Sequence, residues 1–179
     1  MNAKHHFKLL ARYNARINEQ VYQVVEKLDC SILNRDSGTF FGSILGTLNH
    51  LLVGDLIWLS RFINHSECYV SLRRLKYYPE PKSLNVKIYT DFEALRKTRK
   101  EVDQIIIDWI DETSEIDFDR SFTYKNAQGV RNVKNFGEVL SHLFNHQTHH
   151  RGQVSTLLSQ HGFDVGVTDY IIDVPDEQL

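Results

Sequence analysis

Nine histidines occur in this chain, as many as glycines and three times the prolines, and five of them fall between positions 142 and 161. Four lie in the run Ser141-His142-Leu143-Phe144-Asn145-His146-Gln147-Thr148-His149-His150-Arg151-Gly152-Gln153. In a helix, His146 and His150 stand about 40° apart on one face. Val139, Leu143 and Leu157 project within about 60° of His146, and Val154 within about 80°, which marks this face as the expected buried stripe. Two imidazoles one turn apart let a helix chelate a metal. Burying both without a common partner is costly. His142 and His146 form an equivalent pair one turn earlier, and the spacing alone leaves both pairs open. His149 lies about 60° to the other side of His146, as a peripheral or supporting group. Gln153, about 20° from His146, is set to orient a ligand or to make an ordinary helix hydrogen bond. The pair lacks the glutamate of an HExxH motif, which argues against a zincin-type protease.

A third ligand must come from elsewhere. His50 sits in the most apolar stretch, and its neighbours within about 60° on a helix are Ser43, Gly46, Thr47, Gly54 and Ile57. Four of those five are small, which leaves space for an adjacent helix or a ligand, and glycine in a helix costs about 1 kcal/mol relative to alanine. His50, His146 and His150 together would offer three nitrogens and an open position, the pattern of catalytic rather than structural zinc sites. Imidazole ligands also suit nickel, copper and iron; zinc or nickel is the expected ion. Asp55 and Arg151 each lie about 140° from the histidine of their own helix, and are expected to pair with one another or with other helices. Arg61 is expected in a salt bridge or on a substrate carboxylate. His65 and His161 fall near helix ends, where solvation or carbonyl capping is expected.

The elements that must carry these residues are helical. Apolar residues at steps of three and four predict a first helix over 3–28, followed by a connector from Asp29 to Gly42. Ser43 is a good N-cap for a second helix reaching about Asn64. Residues 65–89, with Pro79-Glu80-Pro81, read as irregular. A third helix starts near Asp91 with acidic residues in its first turn. Residues 116–133 flank Asn126-Ala127-Gln128-Gly129 and predict a short hairpin. Asn135 caps a fourth helix to His161, with Gly162 just past its end, and the last 17 residues are expected to wrap over the helices. The expected fold is all-α, a single-domain four-helix bundle spanning 1–179 with a short hairpin or irregular insertion before the last helix.

Composition sets the outer limits. The chain has 179 residues, 41% hydrophobic and 25% charged, which is ordinary for a globular domain and unlike a disordered one. Lysine and arginine number 21 against 23 acidic residues, a net charge of −2 that disfavours nucleic acid as partner. Lys4, Lys8, Arg12 and Arg16 form a basic row, but Glu19 and Glu26 follow it, as on a solvated helix face. Cys30 and Cys68 are too few for a disulfide framework and are expected as free thiols. No signal-peptide or membrane-spanning stretch is visible, so a cytoplasmic protein is expected.

Across nearly its whole length the sequence resembles the DinB-like family, related to the YfiT-like metal-dependent proteins. The resemblance is carried by Arg12-Tyr13-Asn14-Ala15 with Asn18-Glu19, by Ser43-Ile44 through Thr47-Leu48-Asn49-His50 to Asp55, Trp58 and Arg61, by Asn145-His146 with His149-His150-Arg151-Gly152-Gln153, and by Gly162 to Gly166 with Thr168-Asp169. Arg16 departs from the aromatic residue that many relatives carry there. The resemblance implies an up-down-down-up bundle, usually a homodimer, that holds a divalent metal with three histidines. It selects His50, His146 and His150 over the pair using His142; Asn14, His149 and Gln153 are expected to support the site or line its pocket. It further implies a small-molecule substrate, with low-molecular-weight thiols used by characterised transferases and isomerases. A metal-dependent hydrolase and a non-catalytic metal-binding stress protein are the alternatives.

Overall fold

The computed structural model describes residues 2–177. Met1, Gln178 and Leu179, inside the expected 1–179 domain, lie outside the described residues. Asn2 caps α1 (Ala3–Val25) by accepting from the His5 N–H at 2.9 Å. The helix stops at Val25, short of the expected residue 28, because the Lys27 and Leu28 N–H groups turn to carbonyls three residues back. Within the supposed connector, Asp29 caps a short α2 (Cys30–Asn34) by accepting from the Ser31 N–H at 2.7 Å. Five residues are too few to show an apolar period.

Ser43 accepts from the Gly46 N–H at 3.0 Å and opens α3 (Ile44–Phe62), in which every residue from Ile44 through Leu56 is buried. The irregular segment that follows holds one 3-10 turn, Ser71–Tyr77, pinned by buried Leu72. Asp91 caps α4 (Phe92–Glu112) through the Ala94 N–H. A second 3-10 turn, Glu115–Asp119, leads to the hairpin of β1 (Ser121–Lys125) and β2 (Arg131–Asn135). The strands pair antiparallel with Phe122 opposite Lys134 and Tyr124 opposite Asn132. Asn135 caps α5 (Phe136–Gln160), and Gly162, at φ +80°, lets the Phe163 N–H return to the Leu158 carbonyl.

The structure is thus mostly helical with one two-stranded sheet. Helix α1 packs on α4 and α5, and α3 packs on α5. An aromatic core of Phe62, Trp109, Phe122 and Phe136 locks α3, α4 and α5 to the hairpin, with Phe62 stacked on Trp109 at 5.3 Å. The tail lies on α1. There Arg16 ion-pairs with Asp173 at 2.6 Å and Gln20 donates to the carbonyls of Val165 and Val167. Among the described residues no helix is long and apolar enough to cross a membrane. Cys30 and Cys68 are free and exposed.

Candidate metal centre

The face shared by α3 and α5 brings three histidines together. Ring nitrogens of His50, His146 and His150 all lie within 4.8 Å of one another, and no other such set of His, Cys, Asp or Glu occurs among the described residues. His50 is buried; His146 and His150 are half-buried at the margin of the stripe rather than at its centre. Val139, Leu143, Val154 and Leu157 are buried on that stripe as expected, and polar Gln147 and Arg151 are buried among them.

Two small residues make the approach possible. A Cβ on Gly54 would stand 2.8 Å from Cε1 of His146, so this glycine makes room for a ring of the triad. A Cβ on Gly46 would collide with the Phe41 carbonyl. That close passage seats the Phe41 ring on His50, stacked at 3.8 Å, and edge-on to His150 at 5.4 Å.

Hydrogen bonds set the rings. His50 Nδ1 lies 3.0 Å from the Leu84 carbonyl, which can only accept, so the proton is on Nδ1 and Nε2 presents a lone pair. His150 Nδ1 donates in the same way to Gln153 Oε1 at 2.8 Å, and the Gln153 amide donates to His149 Nε2 at 3.2 Å. Thus Gln153 and His149 both join the site, the first directly and the second through it. His146 Nε2 stands 2.9 Å from His50 Nε2, and its Nδ1 is buried without a partner among the described residues. Burial pushes all three pKa values down. For His146, burial and then the neighbouring imidazoles take it to about 3. Neutral nitrogens, a fixed tautomer on two rings and one unsatisfied buried atom suit a cation ligated by imidazole.

Asn49, one residue before His50, anchors the segment that crosses the site. Its amide donates to the Tyr89 carbonyl and its oxygen accepts from the Tyr89 N–H, both at 2.9 Å. With the Leu84 contact to His50, this holds residues 84–89 along α3. His142 is exposed, edge-on to Trp58 at 5.3 Å, and does not join His50. Arg61 makes no salt bridge among the described residues; its guanidinium lies over Trp58 and Tyr124. His65 is buried against Phe136, with Nε2 directed at the Asp117 carbonyl, which is the capping alternative.

Asn14 bonds neither the triad nor a group that bonds it. It belongs to a buried network that joins all four long helices. Arg99 of α4 ion-pairs with Asp55 of α3 at 2.6 Å and with Asp103 at 2.8 Å. Asn14 and Asn18 of α1 donate to Asp103, and Gln147 of α5 donates to Asp55. The oxygens of the same three amides accept from Arg151. The amides therefore relay between a guanidinium and two carboxylates, and the four charges balance. Burial still pushes Asp55 up and Asp103 to about 6, against the pull of Arg99. Asp55 and Arg151 were expected to pair with one another or with other helices; they meet through Gln147. The signal for this network was present as polar residues about 140° from each histidine, but its partners lie on other helices.

The sequence model of the DinB family matches residues 1–177. The protein DinB of Bacillus subtilis (strain 168) is 25% identical over 166 residues, covering 92% of this chain and 90% of that protein. No solved structure matches the chain.

Proposed function

The chain belongs to the DinB family, and from that premise we propose that it is a metal-dependent transferase acting on a small thiol, with His50, His146 and His150 holding a divalent cation. The observation that carries this reading is the convergence of three neutral ring nitrogens within 4.8 Å of one another. A cavity adjoins His50, which favours an open, catalytic site over a sealed one. When bound, the cation supplies positive charge that favours thiolate over thiol at neutral pH. The chain's own residues prepare the site. The Leu84 carbonyl and Gln153 fix the tautomers of His50 and His150, burial keeps the rings neutral, and Gly54 admits the His146 ring. All-imidazole ligation suits zinc or nickel. The reading includes an up-down-down-up four-helix bundle, assembled as a homodimer in the cytoplasm, with four long helices and family membership in support.

Elemental analysis of purified protein is the test, followed by conjugation assays with low-molecular-weight thiols. About one equivalent of divalent metal per chain is expected in wild type, falling to background in His146→Ala, because two remaining imidazoles leave an incomplete set. Wild-type protein that stays empty after metal loading overturns the centre. Metal retained in His50→Ala but lost in His142→Ala moves it one turn along α5. Loaded protein that cleaves ester probes and conjugates no thiol is a hydrolase, and protein inert in both assays is a binding protein.

A further inference from the structure

The loop before α3 presents two adjacent phenylalanines in opposite ways. Gly38 and Gly42 take φ values of +66° and +76°, the Ser37 N–H donates to the Gly42 carbonyl at 2.6 Å, and Thr39 bridges Gly42. This tight loop turns Phe41 inward onto His50 and leaves Phe40 83% exposed. Phe40 sets apolar surface at the rim of a cavity. The cavity is about 230 Å³ and is lined by Phe40, Phe41, Leu84, Val86 and His50. Leu84 is itself 46% exposed. The opposing wall is not a loose strand, because Leu84 bonds His50 and Tyr89 is held twice by Asn49.

The charge of the lining is one-sided. Lys87 is its one charged side chain, and it makes no ion pair among the described residues. The volume falls below the roughly 300–1,000 Å³ of pockets that enclose drug-sized ligands, so the occupant is small. Resting on the metal-centre reading, we propose that this cavity seats the second substrate: a small organic anion with an aromatic or branched apolar body. Its body packs between Phe40 and Leu84, its negative group meets Lys87, and its reacting end lies against His50, the one member of the triad that lines the cavity.

Benzoate tests the proposal, with benzyl alcohol lacking the charge and acetate lacking the ring, by calorimetry or saturation-transfer NMR on the protein as purified. Phe40 and Lys87 are exposed, so Phe40→Ala and Lys87→Gln remove no core packing. Benzoate is expected to bind more tightly than either control. Its affinity should fall roughly three- to tenfold in Phe40→Ala, the range of one lost aromatic contact, and about two- to fivefold in Lys87→Gln, the range of an exposed ion pair. Benzyl alcohol should be indifferent to Lys87→Gln. No benzoate binding, or binding that ignores both substitutions, overturns the proposal. Binding lost in His146→Ala but kept in both variants means that the carboxylate sits on the metal, which overturns the pocket and spares the centre. Protein that stays empty after metal loading yet binds benzoate through Phe40 and Lys87 keeps the pocket and sinks the metal reading.

Discussion

A methyl group on residue 54 would come within 2.8 Å of the His146 ring, and the atom it meets belongs to a side chain able to swing away. Gly54→Ala therefore separates two quantities that usually move together. Alanine is favoured over glycine inside a helix by about 1 kcal/mol, so thermal stability should hold or rise slightly. The displaced His146 ring loses its place beside His50, and metal affinity should fall by about tenfold or more, the scale of a disturbed ligand orientation. Competition with a fluorescent chelator and a melting curve on the same sample check both. A variant that keeps wild-type affinity would show that Gly54 serves only helix packing, as its neighbour in the pattern, Gly46, serves the crossing of Phe41.

At the scale of the element, what could be read in advance was local. Ser43, Asp91 and Asn135 each accept from an N–H three residues on, a bond formed by adjacent sequence, and their helices begin where those residues stand. Gly129 likewise turns the hairpin and Gly162 ends α5, both with positive φ. The histidine spacing is local to α5 too, whereas joining it to His50 needed the packing of α3 on α5 and the glycine between them. Helix α2 left no apolar period, and the relay from Arg151 through three amides to Asp55 and Asp103 draws its members from α1, α3, α4 and α5. No single helix pattern encodes such a network. Its central cation is also its weak point. Arg99→Met strands two buried carboxylates and should cost about 3–5 kcal/mol in urea unfolding, the usual result of removing one partner of a buried pair. Adding Asp55→Asn and Asp103→Asn to Arg99→Met removes the stranded charges and should return part of that loss. No recovery would mean that Arg99 contributes packing alone.

For the molecule as a whole, the triad and the network act on stability in opposite directions as pH changes. His146 titrates near 3 when folded against about 6.5 in an unfolded chain, so between those values the unfolded state binds the extra proton. Stability from this group is present above about pH 6.5 and is lost as pH falls, with a slope of at most about 1.4 kcal/mol per pH unit, the limit for one proton, over a window that partial solvation of the ring narrows. Asp103 has the reverse sign. Its folded pKa, about 6, lies above the unfolded value of about 3.9, so its contribution is present at low pH and lost as pH rises through 6. Between about pH 4 and 6 the two offset one another, and the metal-free wild type should show a shallow profile there. His146→Asn removes the first without touching the second, so its stability should increase as pH drops from 6 to 4. Metal loading should steepen the wild-type loss at acid pH, since protons then compete with the cation for the same nitrogens. Urea titrations at half-unit pH intervals, with and without metal, check all three. Parallel profiles for wild type and His146→Asn would mean that the triad carries no depressed titration, and that its rings are solvated at the groove between α3 and α5.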